Sequence, residues 1–327
     1  SCWTGKAHVR LHRTLHELLF GRKLMSDLAP ILIFCFDRPD HLRRVLESIT
    51  RNPESASSHL ILRMDGAPAG ASPERLARMA SVRQLLRERA WCKSVEIHES
   101  ERNMGLAGSV MEGVSDAVAR FGRVIVLEDD LECSPFFLQF MNRALDVYAD
   151  DHRVISISGY IYPIKATLPE TFFLRGADCW GWATWKRGWD LFRSDGNALL
   201  SELQSRQLSA AFDFDGSYPY TEMLTDQVNG KNDSWAIRWY ASAFLLGKLS
   251  LYPGRSLVQN LGIDGSGTHS GRSDRWQVPL AESAIAVERK ESVEDPFVVE
   301  RLQDYFRALN QPDPFWKRVV RRLRRMI

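Results

Sequence analysis

Four apolar residues, Val124, Ile125, Val126 and Leu127, run directly into three acids, Glu128, Asp129 and Asp130. A β-branched run unbroken by polar residues reads as a strand buried on both faces, the environment of a layered α/β sheet. The acids would then stand where the strand leaves its sheet, the edge along which open α/β sheets bind ligands. Oxygen ligands clustered there suit a hard divalent cation, Mn²⁺ or Mg²⁺, shared with substrate phosphates. A solvated turn capping a helix that starts near Ser134 and Pro135 fits the same spacing, and spacing alone does not choose between the two.

The residues before this strand repeat one pattern. Pro30 to Phe36 reads as a first buried strand, ending at Asp37-Arg38-Pro39. The stretch from Asp40 to Ile49 has helical period, and proline just inside its start fits the N-terminal preference. A second strand, His59 to Met64, meets Asp65 and Gly66. A helix around Glu74 to Arg89 carries an arginine-rich, solvated face, and a third short strand covers Ser94 to His98. Asn103, Gly105 and Gly108 then open a helix reaching about Arg120. Strand, polar turn and helix in repetition predict a mostly parallel, doubly wound sheet. Right-handed crossovers would bring Arg38, Asp65, Asn103 to Gly108 and the acids to one edge. Glycine at a helix N-terminus lets backbone amides approach phosphate or ribose oxygens. No GxGxxG or Walker sequence occurs, which disfavours a dinucleotide dehydrogenase or P-loop enzyme.

Bulk properties narrow the class. With 327 residues, 26% of them charged and a formal net charge of +2, the chain is not built for bulk nucleic-acid binding. Its five cysteines are scattered and never in CxxC spacing, so neither a zinc site nor a disulfide framework is expected, and a reducing, cytoplasmic setting is. No apolar run reaches membrane-spanning length. Residues 1–27 form a basic, His-rich extension without a clean signal-peptide core, and the sequence begins without Met.

The second half changes character. Val154 to Gly159 is a strand leading into a turn-rich region with Tyr160 and Tyr162. Trp180, Trp182, Trp185 and Trp189 then fall within ten residues. They serve either as core or as a cleft whose aromatic faces stack on sugar rings, with Trp180 and Trp182 the expected acceptor contacts. An irregular acidic stretch, Asp213 to Asp226, precedes a helix beginning at Asn232-Asp233-Ser234-Trp235. Asp233 is either a helix cap or a general base whose pKa the neighbouring indole raises. The Gly/Ser-rich loop from Asn260 to Gly271 holds His269 and reads as a surface loop or as a lid over a donor. Phe315 to Ile327 interleaves six basic residues with apolar ones, the pattern of an amphipathic helix drawn to anionic lipid.

Taken together, these residues resemble the GT-A glycosyltransferases. The resemblance is to the inverting group of the N-acetylglucosaminyltransferase that initiates complex N-glycans, and more closely to bacterial homologues from surface-polysaccharide clusters. It runs over about residues 28 to 275. It is carried by Phe36-Asp37-Arg38, by Asp65-Gly66, by the stretch from Arg102 to Ser109, and by Val126 to Glu132 as a version of the DxD motif. Gly181-Trp182, Asp233-Ser234-Trp235 and the glycine loop with His269 follow in order. The resemblance implies a Rossmann-like GT-A domain, with a nucleotide-sugar half over residues 28–153, an acceptor half over 154–290 and a basic helical tail over 291–327. It implies that Asp130 ligates the metal, that Asp129 contacts ribose or a metal-bound water beside Glu128, and that Asp65 accepts from the uracil N3–H. Arg38, with Asn103 and Gly105, would hold the nucleotide, and His269 or Arg272 the leaving diphosphate. Asp233 would be the base, although the family has two adjacent acids where this chain has Asp233 and Ser234, so Glu222 or Asp226 are alternatives.

The expected activity is metal-dependent, inverting transfer from a UDP-sugar to a glycan or lipid-linked acceptor, at the inner face of the membrane through the basic tail. Two other classes compete. A nucleotidyltransferase or pyrophosphorylase would want a Gly-rich basic loop after the first strand, which Asp37-Arg38-Pro39 is not. A non-catalytic carbohydrate-binding protein would use the tryptophans alone.

Overall fold

The computed structural model describes residues 28–264 and 274–310. The N-terminal extension, His269, Arg272 and the basic stretch from 315 lie outside the described residues.

The first strands are apolar because both their faces are covered. β1 (Ile31–Cys35) is buried along its whole length, and β4 (Arg123–Glu128) is buried from Val124 to Leu127. Alternate residues feed opposite layers. Ile31 and Ile33 face α1 (Pro39–Thr50), α2 (Pro73–Leu86) and α4 (Phe137–Val147). Leu32 and Phe34 face α3 (Gly105–Phe121). Local sequence sets the helix ends: Pro39 and Pro73 sit in first turns, and Ser72 caps α2 by accepting from the Arg75 amide. Gly122, at φ 75°, ends α3 in the left-handed conformation that glycine adopts without steric cost.

β1 pairs in parallel with β2 (His59–Met64) and β4, and β2 pairs in parallel with β3 (Ser94–Glu99). The second half continues the same sheet through β6 (Val154–Ser158), β7 (Thr171–Arg175), β8 (Trp182–Trp185) and β9 (Leu249–Pro253), in the order β3-β2-β1-β4-β8-β6-β9-β7. Only β7 and β8 run against the rest. The mostly parallel Rossmann-like sheet flanked by helices, as in a GT-A fold, is therefore the architecture formed. A small second sheet pairs β5 (Leu131–Cys133) with β10 (Val258–Asn260) just beyond the acids.

Short helices α5 (Lys186–Trp189), α6 (Gly196–Ser205), α7 (Ser209–Phe212) and α8 (Tyr220–Val228) lead to α9 (Trp235–Leu245). α8 occupies part of the stretch read from sequence as irregular. α10 (Pro296–Asn310) is packed on the domain, where Val298, Leu302 and Phe306 join Ile161, Phe172 and Leu174 in one apolar cluster. The segment before it is bonded in as well, with Ser292 Oγ donating to Asp151 Oδ2 at 2.8 Å and Glu294 bridging to Phe173. Residues 291–310 are thus part of the domain wall and not a tail. No helix among the described residues is long and apolar enough to cross a membrane.

Candidate active site

The order 3-2-1-4 reverses direction between β1 and β4, and a crevice opens at the carboxyl ends of strands that diverge in this way. Arg38 leaves β1 on one side of it, and the acids leave β4 on the other. Asp129 and Asp130 form the tight turn from β4 into β5 and are 3% and 8% exposed. The solvated-turn alternative does not describe them, and α4 starts at Phe137 with no side-chain cap at all. Arg38 spans both carboxylates: Nη2 donates to Asp129 Oδ1, and Nη1 lies 2.9 Å from Asp130 Oδ2. Asp129 Oδ2 also accepts from the Phe36 amide at 3.2 Å.

Burial dominates the electrostatics of this turn. It pushes the Glu128 carboxyl up to about 8, with Asp130 and Asp129 adding like-charge repulsion. Burial also lifts Asp129 to about 6, against the pull of Arg38. Burial alone would lower the Arg38 pKa, but the two carboxylates outweigh it and hold the guanidinium charged. The donor set is oxygen only, and the two aspartates already grip one cationic group. Such a set fits Mn²⁺ or Mg²⁺ bound through one or two carboxylates with phosphate and water completing the shell. Among the described residues, no three His, Cys, Asp or Glu side chains converge to form a complete cage by themselves.

β10 closes this turn from above. The Leu261 amide donates to the Asp130 carbonyl at 2.7 Å, and Gly262 presses on the acid. A Cβ built on Gly262 overlaps Asp130 Oδ2 and lies 3.0 Å from Arg38 Nη1. Gly262→Ala is accordingly expected to cost about 1–3 kcal/mol through overpacking and to displace the carboxylate. A melting curve paired with a metal titration would check it, and an unchanged melting temperature would count against the contact.

Asp65 organises a second cluster one strand over. Its Oδ1 accepts from the Gly66 and Met104 amides at 2.8 and 2.9 Å, and its Oδ2 from Asn103 Nδ2 and the Gly105 amide at 3.0 and 2.9 Å. Four donors fill a carboxylate's usual capacity. In this structure Asp65, expected to read a uracil, pins the turn that carries Asn103 and Gly105. Gly66 makes this possible, because a Cβ there would come within 2.6 Å of the Arg102 carbonyl oxygen. Gly105 needs its glycine for a φ of 71°.

The expected base is not enclosed. The Asp233 side chain is 72% exposed and pairs with Arg238 Nη2 at 2.9 Å. Ser234 is the residue that caps α9, accepting from the Ile237 amide, and a residue preceding a cap projects outward. No neighbouring indole shields Asp233 from solvent. Glu222 is exposed and Asp226 is tied to Lys231 at 2.7 Å. Trp182 is corrected too. It is 1% exposed and packs among Trp189, Trp235 and Trp239, out of reach of any acceptor. Trp180 is partly buried and lines a cavity of about 500 Å³.

Arg38, Asp129 and Asp130 are not among the walls of that cavity, which is linked to the acid-bearing strand through β8. β8 runs antiparallel to β4 with Trp182 opposite Val126, and Gly181 sits against Leu127, a Cβ there lying 3.3 Å from Leu127 Cδ2. The chain just before it, Cys179 and Trp180, therefore emerges beside Glu128. Burial raises the Cys179 thiol pKa, and negative charge on Asp178, then on Glu128 and Asp130, adds to it. On the far side, Ile263 lines the cavity next to Gly262. The walls include Tyr162, Tyr218, Tyr220, Trp276 and Phe306, and one carboxylate, Asp178, faces in. Sequence reasoning passed over Asp178; its only signal was an acid placed directly before the tryptophan-rich turn.

No family model matches the sequence, and no curated protein does. Many solved structures overlap parts of the fold, three crystal structures among them. TarS of S. aureus shares 12% identity over 44% of this chain and 24% of its own, with a TM-score of 0.28. The 4-diphosphocytidyl-2C-methyl-D-erythritol synthase of Anaerococcus prevotii shares 9% over 56% and 77%, at 0.29. The apo-form glycosyltransferase GlyE of Streptococcus pneumoniae shares 10% over 54% and 39%, at 0.27. The chain thus spans about a quarter of TarS and well under half of GlyE. Overlaps this partial bear on neither activity nor substrate, so the functional reading rests on the site.

Proposed function

We propose that the chain is a nucleotide-sugar glycosyltransferase, metal-dependent and inverting, with a UDP-sugar as the favoured donor. One observation carries the reading: two buried carboxylates, bridged by a partly buried arginine, stand at the switch point of the sheet, and β8, paired with the acid-bearing β4, follows directly on the Cys179–Trp180 wall of an aromatic cavity. A pure scaffold has no use for charges kept out of water, since an ion pair of this kind costs desolvation that an apolar pair would not. The DxD-like resemblance supplies the class of donor, a hexosyl or N-acetylhexosaminyl nucleotide. It also supplies the acceptor, a glycan or lipid-linked sugar of surface polysaccharide, met at an anionic membrane through the basic stretch from 315.

Asp130, with Asp129 beside it, would hold Mn²⁺ or Mg²⁺, which supplies positive charge for the departing diphosphate when bound. Arg38 stands ready as a second positive group at the same place, already held charged by the acids. Burial, with the two aspartates beside it, pushes the Glu128 carboxyl up, which sets it apart from the proposed ligands. Asp65 holds the Asn103–Gly105 turn at the neighbouring strand end, where a nucleoside would lie. Transfer then needs only a base for the acceptor hydroxyl and exclusion of water from the cavity.

Calorimetric titration of UDP with and without Mn²⁺ tests the proposal. Asp130→Ala is expected to lose the metal-dependent part of the affinity, about tenfold or more for a lost charged contact of 1.5–3 kcal/mol. Undiminished affinity in that variant would remove Asp130 as the ligand. Preference for a nucleoside triphosphate with release of pyrophosphate would instead mark a nucleotidyltransferase.

A further inference from the structure

We infer that the cavity walled by Tyr162, Trp180, Tyr220 and Trp276 receives the acceptor as an uncharged sugar, and that Asp178 removes the proton from its attacking hydroxyl. The inference rests on the glycosyltransferase reading and adds to it the residue that the sequence placed elsewhere.

Geometry carries it. Asp178 lies in the turn between β7 and β8, and β8 is the strand paired with the acid-bearing β4. Its Oδ1 accepts from the Cys179 amide at 2.6 Å, the Trp180 amide also donates to the carboxylate, and Tyr162 Oη donates to Oδ2 at 3.4 Å. The Tyr162 contact is long for a hydrogen bond between oxygens, so Oδ2 retains capacity for a shorter one. Cys179 and Trp180 lead into Gly181, which packs on Leu127 of the acid-bearing strand, so the carboxylate stands on the side of the cavity nearer the proposed donor. Burial raises the Asp178 pKa, the direction that strengthens a carboxylate as a base. Asp233, Glu222 and Asp226 face outward or into ion pairs and offer no competing acid on this wall.

The walls set the class of acceptor. Tyr162, Trp180 and Trp276 meet edge to face, Tyr162 and Trp276 with ring centroids 5.8 Å apart and Trp180 and Trp276 at 6.4 Å, so that ring faces line a slot. Faces of that kind take the C–H side of a pyranose, while phenolic hydroxyls take its polar rim. A second carboxylate brought in by an acidic sugar would sit beside Asp178 out of water, so a neutral sugar is the one accepted. In the reaction, the acceptor oxygen forms its bond to the anomeric carbon, and its proton passes to Asp178 Oδ2. The bond from that carbon to the diphosphate oxygen breaks, and its electron pair leaves on the diphosphate.

The test compares the full chain with Asp178→Asn, using UDP release from a panel of UDP-sugars with p-nitrophenyl glycosides as acceptor probes, and UDP titration in Mn²⁺. Asparagine keeps the acceptor for the Cys179 amide but not the base. The expected result is unchanged UDP affinity and unchanged melting, with turnover reduced about 100-fold or more, the usual worth of a general base. Turnover within threefold of the parent overturns the assignment and leaves the glycosyltransferase reading standing. Loss of UDP affinity overturns it too, by moving Asp178 to the donor side. A parent protein that neither binds UDP nor releases it from any sugar nucleotide removes both readings together. If Asp178→Asn does not fold, Asp178→Glu keeps the charge and shifts it by one methylene. That variant is then expected to lower kcat at least severalfold with KM for the UDP-sugar unchanged, and an unaltered kcat overturns the base.

Discussion

Arg38→Ala is expected to destabilise the protein by about 3–5 kcal/mol in the absence of divalent cations, the cost of stranding buried charges whose partner has been removed. The side chains involved are only 22%, 5% and 11% exposed for Arg38, Asp129 and Asp130, so solvent does little to screen the loss. At about 2–4 °C per kcal/mol for a domain of this size, the melting temperature should fall roughly 6–20 °C. The effect has a definite pH dependence. Asp129 already titrates near 6 in the folded chain, above the ordinary aspartate value, so the folded state binds its proton more readily than the unfolded one. Its ionisation therefore weakens the fold as pH rises through that window, and without Arg38 to lower it the window extends upward. The gap between parent and variant should be widest above pH 7 and shrink as Asp129 is protonated below pH 5. Added Mn²⁺ should restore part of the loss, because a ligand that binds only the folded state stabilises it by mass action. Melting curves in EDTA and in Mn²⁺ at pH 5 and 7.5 read all of this, and coincident curves for the two proteins would contradict the bridge.

Trp182→Ala should be comparably severe, about 3–5 kcal/mol for emptying a fully buried indole site. Trp182 stacks on Trp235 with ring centroids 5.5 Å apart, and it lies 5.9 Å from Trp239 and 5.8 Å from Trp189. The cluster joins β8 to α9 beneath the sheet, and no acceptor reaches it. Trp182→Phe separates packing from recognition. The Trp182 Nε1 is buried without a hydrogen-bond partner, so replacing the indole removes a donor that gains nothing from burial. The phenylalanine variant should thus lose clearly less than the alanine one while retaining UDP binding. Thermal unfolding of the pair decides it. Equal losses would mean the indole makes a contact that phenylalanine cannot replace.

The first half was legible because its strands are buried on both faces. Ile31 to Cys35 and Val124 to Leu127 announce themselves as continuous apolar runs, and Pro39 and Ser72 mark helix starts. The second half hid more. Trp182 to Trp185 forms an antiparallel strand, yet four residues rich in tryptophan carry no alternation that separates strand from cleft. Asp233 looked enclosed because Trp235 follows it, but the turn into α9 sends the indole inward and the acid outward. Asp178 could not be found from spacing, because the walls that enclose it come from β7, α8, α9 and α10, parts distant in sequence. Gly262 matters for the same reason, since its neighbour Asp130 is 132 positions away and only the β5–β10 pairing brings them together.

β8 inserts between β4 and β6, so one unbroken ladder of backbone hydrogen bonds runs from β3 at one edge of the sheet to β7 at the other. A protein whose two halves are separately folded can shut on its substrate like a clamshell, by bending at a linker. Here such bending would tear strands apart. The spacing between the Asp130 carboxylate and the aromatic cavity is thus set when the chain folds, before any substrate arrives, and shape change on binding is left to side chains and to the loops at the strand ends.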